Sequence, residues 1–184
     1  MKTRLHLLLK YLPALFFRQL FKISLRKSRP QQAIWICDID NTIADTWRFF
    51  YVENGKPKAE KYLSLPILKG MSQQVFDQQH TNKIVFLTAR EFRRFFLTRR
   101  WLRQNGFIVR WHNVILVSRM RDKLPLLAAV AKRFPNQITY FDDLSFNHQN
   151  GDIKFYDDVI NGLQKLPIRY VGYDELLKIN ELDK

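Results

Sequence analysis

The chain has 184 residues, a single cysteine and a formal net charge of +14. That length suits one domain, or one domain with an appendage, and a hydrophobic content of 46% excludes a disordered chain. The lone Cys37 excludes an intrachain disulfide, which suits a reducing, cytoplasmic setting, and it reads as a small buried hydrophobe.

Residues 1–30 stand apart, with eight Lys or Arg and no acid, which leaves +6 for the other 154 residues. An excess of this kind favours anionic partners such as phosphate esters, nucleic acid or acidic lipid. Leu5, Leu8, Leu9, Leu12, Leu15, Phe16 and Ile23 fall on one stripe at helical spacing, with Lys10, Arg18 and Lys22 off it. Pro13 is expected to kink or divide this helix. Lys10 and Arg18 make the run too short and too charged to span a bilayer, and no small-residue cleavage site follows it. Such a helix either lies on an anionic membrane surface or packs on its own domain or a second copy. Ser28-Arg29-Pro30 reads as a short linker, which divides the chain into a basic amphipathic extension (1–30) and a domain (31–184).

The domain opens with an apolar run, residues 33–37, of buried-strand length and content. Asn54-Gly55, between aromatic stretches, suggests a hairpin or flap after it. Residues 66–79 read as a helix, 83–87 as a strand, and 91–105 as a helix closed by Gly106. Residues 114–117 and 138–141 read as strands flanking a helix over 124–134. A helix over 156–166, with Asp157 and Asp158 as first-turn acids, and a strand over 168–171 complete the series. Alternating strands and helices of this length predict an α/β fold, a Rossmann-like parallel sheet with helices on both faces.

The strand ends carry the chemistry-bearing residues, where ligands bind in open α/β sheets. They are Asp38, Asp40 and Thr42 after the first strand, Thr88 and Arg90 after the second, and Asp142 and Asp143 after the fourth. Lys123 opens the helix before that last strand, with Arg121 and Lys132 as nearby alternatives. Singly, an Asp-x-Asp or an Asp pair reads equally well as the cap of a turn or helix. Together, in this order over residues 33–145, they resemble the four motifs of the haloacid dehalogenase superfamily, mostly Mg²⁺-dependent phosphatases and phosphotransferases.

The resemblance implies Asp38 as the nucleophile that forms an aspartyl-phosphate and Asp40 as general acid and base. It implies Mg²⁺ on Asp38, the Asp40 carbonyl and Asp142, with Asp143 as co-ligand or orienting group. It further implies Thr88 and Lys123 on the phosphoryl group, with Thr42 and Arg90 completing the substrate site. Asn41 stands where the family often has glycine, and Asn tolerates the left-handed backbone that such a turn needs. Asp152 is a third candidate beside Asp142 and Asp143 for the metal, and His148 reads as a solvated loop residue.

Neither the interval from Thr42 to Lys83 nor that from Arg90 to Lys123 holds a full cap domain. A minimal member of the family is implied, suited to a large or polyanionic substrate such as nucleic acid, a nucleotide, or a membrane-held or glycan phosphate. Six arginines from Arg90 to Arg103 crowd one helix with Phe92, Phe95, Phe96 and Trp101, and form either a solvated basic face or a polyanion contact. A non-catalytic binding or assembly module, docked through its N-terminal helix, is the competing reading; the presence of Asp40 argues against it, because binding alone needs no general acid.

Overall fold

The computed structural model describes residues 2–26, 32–49 and 59–181. In chain order the elements are α1 (Lys2–Arg26), β1 (Ile34–Cys37), α2 (Lys69–Gln78), β2 (Lys83–Thr88), α3 (Phe95–Gln104), β3 (Val114–Leu116), α4 (Lys123–Ala131), β4 (Ile138–Phe141), β5 (Ser145–Phe146), β6 (Lys154–Phe155), α5 (Asp157–Leu163), β7 (Arg169–Val171) and α6 (Tyr173–Ile179). Strands buried on both faces require near-continuous apolar runs, and IWIC, KIVFLT, VIL and ITYF provide them. All pair in parallel in the order β3-β2-β1-β4-β7, as the Rossmann-like reading predicts, with β5 and β6 forming a separate antiparallel pair.

The order positions the site. From β1 the chain steps one way to β2 and β3, then crosses back to β4 and β7 on the other side. The point where the order reverses lies between β1 and β4, the place beyond the strand ends where open α/β sheets bind their ligands. Cys37 is in register with both Phe86 and Phe141, so the residues that follow β1 and β4 leave the sheet side by side.

Several boundaries differ from the sequence reading. The helix expected over 91–105 begins as a 3₁₀ turn at Phe92–Arg94 and becomes α3 only from Phe95. Gly106 follows it with φ +87°, a left-handed position that favours glycine. The β5–β6 pair and α6 lie where no element was expected. The Asn54-Gly55 turn and the linker at 28–30 fall outside the described residues.

The largest difference is α1. It is one helix with Pro13 inside it, not two pieces; proline removes a single intrahelical hydrogen bond, which tertiary contact can offset. The face that packs is also not the expected stripe. Phe17, Leu20, Phe21 and Leu25 are buried in the main core, whereas Leu12, Leu15, Phe16 and Ile23 remain exposed. Phe17 stacks on Phe92 at 5.3 Å and meets Phe95 edge-on at 5.1 Å. No helix among the described residues is long and apolar enough to cross a membrane.

At the opposite end of the chain α6 closes on α2. The Asn180 side chain accepts from Met71 N at 2.8 Å and donates to the Thr42 carbonyl at 3.3 Å, tying the C-terminal helix to the loop after β1. Gly70 permits that approach, because a Cβ there would lie 1.7 Å from the Ile179 carbonyl oxygen. Gly70→Ala is therefore expected to destabilise the fold by about 1–3 kcal/mol through overpacking against backbone. Urea unfolding would register this as a lower midpoint with an unchanged slope.

Candidate active site

The loop after β1 turns sharply because Asn41 adopts φ 55°, as its residue type allows. Asp38 and Asp40 leave this turn toward different partners. Asp38 is buried, and its Oδ1 lies 3.0 Å from the Lys123 ammonium. Among the described residues that ammonium is the one partner of Oδ1, met as an ion pair without full hydrogen-bond alignment. Thr42 Oγ1, on the same loop, is likewise buried and without a hydrogen-bond partner.

Lys123 is fully buried at the first position of α4, and its Nζ donates to Asp142 Oδ2 at 2.6 Å. Of the three cations considered on this stretch, it is the one that enters the site. Arg121 is exposed and paired with Asp158 at 2.6 Å, and Lys132 is exposed on the surface. Asp142 is further held by the Tyr140 hydroxyl and, at 3.0 Å, by Leu144 N–H. Asp143 accepts from Ser145 Oγ, which lies 2.7 Å from His148 Nε2. His148 is therefore not a solvated loop residue: its Nε2 is 3.8 Å from Asp143, and its ring lies beside Trp47. Asp152 is exposed and paired with Lys154, away from the cluster.

Carboxylate oxygens of Asp38, Asp142 and Asp143 all lie within 4.8 Å of one another. The Lys123 ammonium pairs with two of these buried carboxylates, Asp38 and Asp142, and His148 lies nearest the third. Burial pushes the Asp38 carboxyl well above its ordinary range, with the Asp142 charge adding to the effect and Lys123 opposing it. Burial also raises Asp143, again with Asp142 contributing. Lys123 is held above its ordinary value, because Asp142 and Asp38 outweigh the cost of burying it. A group of hard oxygen donors with excess negative charge, one of them met by an ion pair without full hydrogen-bond alignment, fits a small divalent cation.

Asp40 faces the other way. Arg90 grips it through both carboxylate oxygens, Nη2 to Oδ1 at 2.6 Å and Nε to Oδ2 at 2.8 Å. Thr46 donates to Oδ1 at 2.6 Å and Thr88 to Oδ2 at 3.4 Å. Partial burial works to raise this carboxyl, but the Arg90 charge and hydrogen bonds outweigh it and hold Asp40 below the usual carboxylate range. The Asp40 side chain keeps 28% of its surface open, so it is the carboxylate a ligand meets first. Arg90 is itself fixed by Thr98 Oγ1 at 3.3 Å and by the Tyr62 ring at 5.3 Å. Tyr62 also lies under Arg94 at 4.2 Å, so the segment between β1 and α2 folds back over both guanidinium groups.

The site residues expected from sequence thus converge on one crevice, with Arg90 turned onto Asp40. Tyr140, Ser145 and His148 are additions, as are the supports Thr46 and Thr98. No protein-family model matches the sequence, and no curated protein matches it either.

Two variants probe this charge balance. Removing one partner of a buried ion pair strands the others, so Lys123→Met is expected to cost about 3–5 kcal/mol in denaturant unfolding. Asp38→Asn removes one of three crowded carboxylates and is expected to raise the unfolding midpoint in metal-free buffer.

Proposed function

We propose that this chain is a Mg²⁺-dependent phosphomonoester hydrolase of the haloacid dehalogenase type, acting in the cytoplasm on a large or polyanionic phosphorylated substrate. The observation that carries this reading is the division of labour around Asp38. Two further carboxylates, Asp142 and Asp143, and a lysine lie on one side of it, and a carboxylate gripped by arginine and flanked by threonines lies on the other. Phosphoryl transfer by a carboxylate calls for both halves: a cationic centre to neutralise the phosphate, and a second carboxyl to move protons.

Asp38, Asp142 and Asp143 would hold the Mg²⁺. When bound, the ion offsets the negative charge of phosphate and carboxylates and polarises the phosphoryl group. In the first step an Asp38 carboxylate oxygen attacks phosphorus and the ester P–O bond breaks; Asp40, which takes up a proton once the Arg90 fork has left it for the phosphate, gives that proton to the departing alcohol oxygen. In the second, Asp40 takes a proton from water as that water attacks phosphorus, the acyl-phosphate P–O bond breaks, and inorganic phosphate leaves. Asp38 is then free again.

Lys123 fixes the orientation of Asp38 and opposes charge on the transferring group. Thr88 and the unsatisfied Thr42 hydroxyl supply donors. Arg90 offers a planar fork that matches phosphate as well as carboxylate. Exchange of Asp40 for phosphate on that fork would bind the substrate and free Asp40 to reach the leaving oxygen.

The test is phosphate release from a small phosphomonoester and from a phosphorylated oligonucleotide, with Mg²⁺ and with EDTA. Turnover is expected only with Mg²⁺ and is expected to fall to background in Asp38→Asn. Asp40→Asn should lose about 10²–10⁴-fold in kcat. Arg90→Ala should lose about 10²–10³-fold, the range for removing one preorganised donor. Mg²⁺ binding without turnover on either substrate would instead assign the site to a binding module.

A further inference from the structure

The exposed face of α1 does not stand alone. Leu12 and Leu15 are each more than half exposed, with Phe16 and Ile23 not far behind. Beside them, on the domain proper, Phe96 is 69% exposed and Trp111 51%. The two sets are continuous. Phe16 contacts Phe17 edge-on at 5.3 Å, Phe17 contacts Phe95 at 5.1 Å, and Phe95 contacts both Phe96 at 5.3 Å and Trp111 at 5.5 Å. Leu12, Pro13, Phe16, Phe96 and Trp111 line an open hollow of about 480 Å³ across the seam between α1 and α3. A joined apolar surface of this kind, on an otherwise strongly basic chain, marks a site of interaction.

Its surroundings indicate with what. Residues 1–30 contain eight Lys or Arg and no acid, and residues 92–121 contain eight Arg and no acid. The face is made by α1 from Leu12 onward and by the stretch from Phe92 to Trp111, each within one of these acid-free segments. Arg18 on α1, Arg100 and Arg103 on α3, and Arg110 next to Trp111 in the chain are exposed, and Arg99 lies over the Trp111 ring at 4.6 Å. Glu91, at the start of this region, is already paired with Arg93 and Arg94.

We infer that this face docks on an anionic lipid bilayer surface, with Leu12, Leu15, Phe16, Phe96 and Trp111 entering the headgroup–acyl boundary and the arginines meeting lipid phosphates. A long basic helix with an aliphatic and aromatic face is the chemistry of interfacial binding, and a tryptophan beside arginine suits the headgroup level. A second copy fits less well, because a two-fold contact would set two like-charged faces against each other. Nucleic acid accounts for the arginines and could stack on the aromatics, but offers nothing to the exposed leucines and Ile23.

The test uses the full chain and reads binding alone, so it stands or falls apart from the hydrolase reading. Co-sedimentation is measured with phosphatidylcholine vesicles and with phosphatidylcholine–phosphatidylglycerol vesicles, at low and high salt. Binding is expected on the anionic vesicles, weakened by salt, with a blue shift in tryptophan emission that Trp111→Phe removes. Phe96→Ser, and separately the pair Leu12→Ser and Leu15→Ser, alter side chains already in water and should keep the unfolding midpoint. Each is expected to weaken binding about tenfold or more, as the loss of buried aromatic or aliphatic area requires. Failure to bind anionic vesicles overturns the inference, as does binding that these variants leave unchanged, which would reduce the face to charge alone. A dimer in sedimentation velocity that the same variants convert to monomer would give the face to a second copy. Oligonucleotide binding impaired by them in place of vesicle binding would give it to nucleic acid.

Discussion

One buried ammonium holds the carboxyl edge of this sheet together. Lys123 reaches Asp38 at the end of β1 and Asp142 at the end of β4 from the first turn of α4. Three separate elements therefore meet at a single charge. Burying ions is expensive, and an apolar cluster of the same volume would serve stability at least as well. Three carboxylates against one ammonium leave the crevice short of positive charge, and Asp38 Oδ1, although buried, meets that ammonium without full hydrogen-bond alignment. The three carboxylates are thus less fully compensated than the single ammonium that joins the strands.

The second charge pair in the crevice is balanced where the first is not. Arg90 meets Asp40 with two short hydrogen bonds, and the surrounding hydroxyls of Thr46, Thr88 and Thr98 saturate what remains. This half of the site is polar, partly open and self-satisfied, and any anion that enters must compete with Asp40 for the guanidinium. The two halves sit on either side of Asp38 because β1 has β2 on one flank and β4 on the other. Strand order alone separates the residues suited to proton transfer from those suited to holding a metal.

Much of this was legible before any coordinates. Short apolar runs ending in Asp or Thr announce buried parallel strands and their functional ends, and Asp38, Thr88, Asp142 and Asp143 lie where those runs place them. Lys123 could be preferred over Arg121 and Lys132 because it opens a helix that leads into the Asp142 strand. What escaped the sequence depends on approach between distant segments. The Arg90–Asp40 fork joins positions fifty residues apart, and Asn180 reaches the motif loop from the far end of the chain. No local pattern encodes either. Tyr140 reads as one more apolar strand residue until its hydroxyl is found on Asp142. Helical periodicity located an apolar stripe on α1 but could not say which face would meet the domain, because that is decided by Phe92 and Phe95 on the partner surface.

The same short helix faces both the crevice and the apolar surface. Thr98 of α3 points inward and accepts from Arg90, while Phe96, two residues earlier, points outward beside Trp111. Arg94 and Arg90, which flank the start of that helix, both lie on the Tyr62 ring from the segment between β1 and α2. Phe96 and Thr98, two residues apart on α3, thus place the apolar surface within one helical turn and one hydrogen bond of the guanidinium that holds Asp40. The closeness of the two surfaces follows from chain order: the residues that end β2 at the site are the same ones that begin the basic, aromatic stretch.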